Sequence, residues 1–245
     1  MSNHEIDIAL LNQELVKFLN RAKIISNFTN YIHITDSVLG IPRLSSIHAA
    51  RMILCNQTNT RLNISCSVRT RDRNMNSIIQ MVTDAIIMKI GGLLFIQGDK
   101  PAFEESEKAP SLSSPTDVIK VLNSIGFDKL IDFDLSIPNK VSNHKLFQKK
   151  VNSNPHGFVT QSINSIEEIR GLRKLLNPYH IKLIPCIMVP SVKNERAASI
   201  IGLDWSDYQD NFLEFLKEVC KETDHLLITS PNSFEEGINV MKNLV

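Results

Sequence analysis

Much of what would mark this chain as a familiar type is missing. Its 245 residues include four cysteines, and Cys55, Cys66, Cys186 and Cys220 lie far apart, with neither a CxxC pair nor zinc-ligand spacing. That excludes a disulfide framework and a zinc module. Three of the four fall in apolar sequence, which predicts buried free thiols in a reducing compartment. Lysine and arginine number 27 against 26 aspartate and glutamate, so no broad field draws the chain to nucleic acid or to an anionic membrane. No apolar run approaches the roughly 18 residues that a membrane span requires, and the first residues lack the apolar core of a signal peptide. These absences predict a cytoplasmic protein. There is no Gly-rich phosphate loop and no G-x-S-x-G context around Ser230. His48, His144, His180 and His225 show no metal-ligand spacing.

What is present is ordinary in amount and regular in pattern. With 42% hydrophobic and 22% charged residues the chain can bury a sizeable core, and no Pro/Gly/Ser linker divides it. Apolar runs with strand character alternate with segments of helical periodicity from end to end. Strands are expected at residues 4–8, 31–35, 62–68, 93–96, 130–137, 157–161, 181–187 and 225–229. Helices are expected between them, at 11–25, 45–55, about 75–90, from Pro115, at 143–151 and 165–176, near 194–201 and 206–221, and at 233–244. Residues 102–114 form the one polar low-complexity loop. Eight strands alternating with helices predict a parallel sheet closed as a single-domain (β/α)8 TIM barrel over residues 1–245.

A barrel of this kind makes a selective demand, because its functional residues lie at or just beyond the C-terminal ends of its strands. The stretch from Ser67 to Pro101 meets that demand twice. A charged turn, Arg71-Asp72-Arg73-Asn74, leaves one strand. After an amphipathic helix and Gly91-Gly92, the next strand delivers Gln97-Gly98-Asp99. Thr35-Asp36, Pro138-Asn139, Thr160-Gln161 and Thr229 stand at the other exits. His33 alternates with Ile32 and Ile34, the pattern of a hydrogen-bonded structural histidine. Trp205, beside Asp204 and Asp207, reads as an anchor for the helix near 206–221.

These residues carry a resemblance. Arg71-Asp72-Arg73-Asn74 followed by Gly98-Asp99 resembles the paired turns after the third and fourth strands of the methylenetetrahydrofolate reductase family. Three further runs are similar to that family in the same order: Thr35-Asp36-Ser37-Val38-Leu39-Gly40-Ile41-Pro42-Arg43, Phe158-Val159-Thr160-Gln161, and Ile184-Pro185-Cys186-Ile187-Met188-Val189-Pro190. The resemblance covers nearly the whole chain and points to the short, single-domain form of the family.

It implies flavin-dependent reduction of 5,10-methylenetetrahydrofolate to 5-methyltetrahydrofolate, in one-carbon metabolism and methionine synthesis. The implied cofactor is FAD, with FMN or no flavin as alternatives, and the implied electron donor is a nicotinamide or a protein. A homo-oligomer or hetero-complex is compatible with it. By position, Asp99 and Glu5 are the catalytic residues, with Glu5 the general acid and Asp7 its alternate. Asp99 and Gln161 bind folate, while Thr35, Ser67, Arg71, Gly98, Asp99 and Lys150 contact flavin. The chain also departs from the family. Glu5 lacks the proline pair that follows the family's acid, and Ser67 stands where a histidine is frequent. Ile137-Pro138-Asn139-Lys140 lacks the family's tyrosine and histidine, and Cys186 replaces a glycine. Those departures define a rival reading, a non-catalytic barrel subunit that binds folate or a partner protein without flavin. A second rival, a barrel enzyme acting on a phosphate-bearing substrate, lacks a Gly-rich cradle after the last two strands.

Overall fold

A computed structural model describes residues 8–38, 41, 43–57, 59–100 and 114–244, with side chains from residue 13 onward. It shows an α/β architecture in which a nearly closed, all-parallel, barrel-like sheet is wrapped by helices. Among the described residues its seven strands are β1 (Tyr31–Ile34), β2 (Asn63–Arg69), β3 (Gly92–Ile96), β4 (Asp132–Ile137), β5 (Gly157–Ser162), β6 (Lys182–Met188) and β7 (Leu227–Thr229). They pair in chain order, every neighbour parallel. The first and last strands approach each other at their N-terminal ends, where the rings of Tyr31 and His225 meet edge-on at 6.2 Å.

The helices follow the expected order: α1 (Ile8–Ile25), α2 (Ser46–Asn56), α3 (Met75–Ile87), α4 (Pro115–Ser124), α5 (His144–Val151), α6 (Ile166–Leu176), α7 (Glu195–Ile201), α8 (Phe212–Glu222) and α9 (Phe234–Leu244). Local chemistry sets their starts. The Asn74 side chain accepts the Ser77 N–H to cap α3, Ser114 caps α4 ahead of Pro115, and Asn143 caps α5. On α3 the residues Ile78, Val82 and Ala85 recur at helical spacing and are fully buried.

The strands sort their side chains by alternation. On β2, Ile64, Cys66 and Val68 join the core between sheet and helices, as do Leu93 and Phe95 on β3 and Phe133, Leu135 and Ile137 on β4. Phe95 and Phe133 meet edge-to-face at 5.6 Å within it. The opposite face, enclosed by the curl of the sheet, mixes apolar Leu94 and Val159 with Ser65, Ser67, Arg69 and Asp134. Leu94, Val159, Ser67 and Arg69 on that face are buried. A barrel interior so rich in polar groups needs them paired, and most are.

Three expectations change. Of the strand expected at residues 4–8, residues 4–7 lie outside the described residues, and Ile8 already belongs to α1, so seven strands are seen where eight were expected. The helix expected from 206 begins at Phe212. The preceding turn is held by Tyr208, whose buried hydroxyl donates to the Ile163 carbonyl (3.2 Å) and whose ring stacks on Phe215 at 4.3 Å. All four thiols are free, but only Cys66 is buried, Cys186 is half-buried, and Cys55 and Cys220 are exposed. No helix of the described residues is long and apolar enough to cross a membrane.

Candidate functional site

A parallel sheet delivers all its strand exits to one edge, and here the exits of β1, β2 and β3 are tied into one network. Asp36, two residues beyond β1, is 4% exposed. Its Oδ2 accepts the Arg69 backbone N–H (3.1 Å) and Arg73 Nη1 (2.6 Å), and its Oδ1 accepts the Ser37 hydroxyl (3.1 Å). Arg69, the last residue of β2, is also buried. Its Nη1 donates to the Ser37 carbonyl (3.1 Å), and its Nη2 donates to the Asp99 carbonyl (2.9 Å) and Asp72 Oδ2 (3.3 Å).

The turn after β3 is therefore held from two sides. Thr70 and Arg71 continue the β2–β3 ladder past both strands, their N–H groups donating to Ile96 O (2.9 Å) and Gln97 O (3.1 Å). Arg71 Nε then donates to Gly98 O (3.0 Å). Gly98 adopts φ +82, in the left-handed region. A Cβ on it would stand 2.7 Å from Arg69 Cγ and 2.8 Å from Arg69 Nε. Glycine is required here by the arginine passing beneath it, and by the backbone itself.

The structure places Ser67 on β2 and Arg71, Gly98 and Asp99 just beyond the ends of β2 and β3, with Thr35 exposed at the adjacent exit. Asp99 is exposed, three residues past the end of β3, so the two arginines, rather than the strand ladder, fix its backbone. Ser67 is buried and its hydroxyl engages His33 Nε2 at 2.9 Å, while His33 Nδ1 meets Ser65 Oγ at 2.8 Å. Burial lowers the pKa of this imidazole to about 4, so at neutral pH it is an uncharged bridge between two serines.

Gln161 is exposed on β5, beside an irregularity in the β5–β6 ladder where the Thr160 hydroxyl accepts the Cys186 N–H (2.9 Å). Lys150 on α5 is half-buried, and its ammonium donates to the Ser136 carbonyl on β4. Desolvation lowers its pKa. Ile137, Phe147 and Lys150 line a cleft of about 220 Å³ beside it. Glu5 and Asp7 lie outside the described residues.

The buried network around Arg69 and Asp36 did not follow from the sequence, whereas His33 is the hydrogen-bonded histidine that its alternation with Ile32 and Ile34 predicted. Alternation along β2 was the available signal for Arg69, since it places residues 65, 67 and 69 on one face. Among the described residues no group of three or more His, Cys, Asp or Glu side chains could hold a metal ion. Burial pushes the Cys66 thiol up to about 12 and the Cys186 thiol up to about 11, so neither is a nucleophile. What the rim exposes is a hydroxyl, a carboxylate and an amide beside a half-exposed guanidinium. That set suits hydrogen bonding to a flat polar heterocycle.

Neither a family profile nor any curated protein matches the chain. The molecule is thus placed by its fold class, a parallel α/β barrel-like sheet with a polar rim at the strand exits.

Proposed function

We propose that the chain is a (β/α)8 barrel of the methylenetetrahydrofolate reductase type, binding folate at the rim around Asp99. The observation that carries this reading is the convergence of Arg71, Gly98 and Asp99 with Thr35 at adjacent strand exits, the positions that the resemblance assigns to the site. Asp99 presents its carboxylate to an amino-pyrimidine edge, where a charge-assisted pair is favourable. Gln161 adds an amide from β5, and Arg71 offers its remaining N–H groups. FAD, when bound, would carry the hydride to the methylene carbon of the substrate. The part of this chain would be to orient both rings and exclude water from between them.

A second reading, a folate-binding barrel that holds no flavin, is favoured by one specific feature. Five of the six flavin-contact positions already have partners inside the protein: Ser67 with His33, Arg71 with Gly98, Gly98 and Asp99 with Arg69, and Lys150 with Ser136. Flavin would need Lys150 at least to exchange its carbonyl partner.

Titration with FAD and FMN, followed in the visible spectrum, separates the two readings. A shifted flavin band below about 100 μM supports the reductase. Binding of 5-methyltetrahydrofolate without flavin binding supports the second reading, and binding of neither removes both. Asp99→Asn is expected to fold normally, because the side-chain volume hardly changes, while losing about 1.5–3 kcal/mol of folate affinity, the worth of a hydrogen bond to a charged group. Unchanged folate affinity in that variant would move the site away from Asp99.

A further inference from the structure

We infer that Arg69 is the positioning residue of this rim, a buried guanidinium that fixes the Gln97–Asp99 turn for ligand binding. The inference rests on the folate reading for the ligand and on the geometry for the clasp. Arg69 reaches a different loop with nearly every bond it makes: Ser37 after β1, Asp72 after β2 and Asp99 after β3. Its own backbone N–H is held by Asp36. No single-point cation could replace it, because these acceptors lie in different directions and only a planar fork addresses them together.

Two features argue that the clasp serves the turn. The first is its cost. Arg69 is 2% exposed and its Nε is buried with no hydrogen-bond partner among the described residues. The carboxylate its guanidinium is seen to meet, that of Asp72, belongs to a side chain 44% exposed. An apolar residue at that strand position would avoid the desolvation, so an arginine confined there needs some compensating gain. The second is the fit with Gly98. The space where a Cβ would project from residue 98 is filled by the Arg69 side chain, and the left-handed turn at Gly98 aims Asp99 outward over it. Strand residue and turn residue are shaped to each other.

Arg69 touches no ligand in this account and acts through the backbone of Asp99. The expected consequence is coupling between the two positions. In Arg69→Lys, affinity for 5-methyltetrahydrofolate should fall about tenfold, near the worth of one charged hydrogen bond. Asp99→Asn should then cost much less in the Arg69→Lys background than in the wild type. Gly98→Ala, which displaces the guanidinium from the other side, should show the same loss of coupling. Backbone hydrogen exchange gives a readout independent of folate. Protection of the Gly98 and Asp99 amides should drop in Arg69→Lys while that of Phe158 and Ile187, on β5 and β6, is unchanged.

Additive losses with unchanged exchange at residues 98–99 would overturn the clasp. If the wild type binds no folate, the folate reading fails and exchange alone decides. Lost protection confined to the turn then supports Arg69 as its positioning residue, and retained protection overturns it. Uniform loss of protection throughout β2–β6 would make Arg69 a general stability element, which also overturns it.

Discussion

Replacing Arg73 with methionine is expected to lower the unfolding free energy by about 3–5 kcal/mol, the range seen when one partner of a buried ion pair is removed. The reason lies in the unequal burial of the pair. The Asp36 side chain is 2% exposed and that of Arg73 is 22% exposed, with 2.6 Å between Oδ2 and Nη1. Without Arg73, Asp36 keeps the Arg69 N–H and the Ser37 hydroxyl but, among the described residues, no ion-paired cation. A carboxylate confined there without a countercharge is far more costly than an exposed one. Arg73 also donates to the Arg69 carbonyl at 2.9 Å, so its removal loosens the end of β2 as well. The double variant Asp36→Asn, Arg73→Met should recover part of the loss, because the stranded charge is gone. Urea unfolding of the two singles and the double measures this directly. A loss below about 1 kcal/mol in Arg73→Met would show the pair behaving like a surface salt bridge.

That pair illustrates what could be read before any coordinates. Arg71-Asp72-Arg73-Asn74 was visible as a charged turn leaving a strand, and the alternation of strands with helices predicted the parallel sheet and its order. Periodicity works there because burying one face of a helix or strand repeats over many residues. The turn itself has no period. Nothing local distinguishes Arg73, paired with a buried aspartate 37 residues earlier in the chain, from Arg71, whose Nε meets a carbonyl 27 residues later. Arg69 was obscured further, because a charge at the end of a strand ordinarily faces solvent.

The same limit shows elsewhere. Cys55 ends the apolar run Met52-Ile53-Leu54-Cys55 yet is exposed, since an amphipathic helix turns part of an apolar run to its outer face. Residues 206–211 run directly into the apolar periodicity of α8, but Ser206, Asp207, Asp210 and Asn211 favour turns and Tyr208 is drawn into the core, so the helix starts at Phe212. For the site, the alternation of strands and helices located the strand exits that the fold brings together. It gave no sign that Ser67 and Lys150 would be engaged by His33 and by the Ser136 carbonyl.

Between pH 4 and 6.5 the stability of the wild type is expected to be nearly flat because two groups in the barrel interior oppose each other. Burial holds His33 near pKa 4, below its ordinary 6.5. The unfolded chain then binds the extra proton, and the stability contributed by His33 is complete above pH 6.5 and is lost as pH falls toward 4. Asp134 is displaced the other way, up to about 6 from 3.8. Burial is the main cause and Asp132 adds to it, while His156, Lys182 and the Gly157 backbone resist it. Its contribution is complete below about pH 4 and is lost as pH rises through 6. Each shift spans somewhat over two pKa units, so at about 1.4 kcal/mol per unit each slope amounts to roughly 3 kcal/mol. Removing one group should unmask the other. Asp134→Asn should lose stability on acidification from pH 6.5 to 4, and His33→Gln should lose it on raising pH from 4 to 6. Urea midpoints at half-unit pH steps would show the two opposite slopes. If both variants stay flat while the wild type is also flat, neither side chain titrates in the interior as its burial requires.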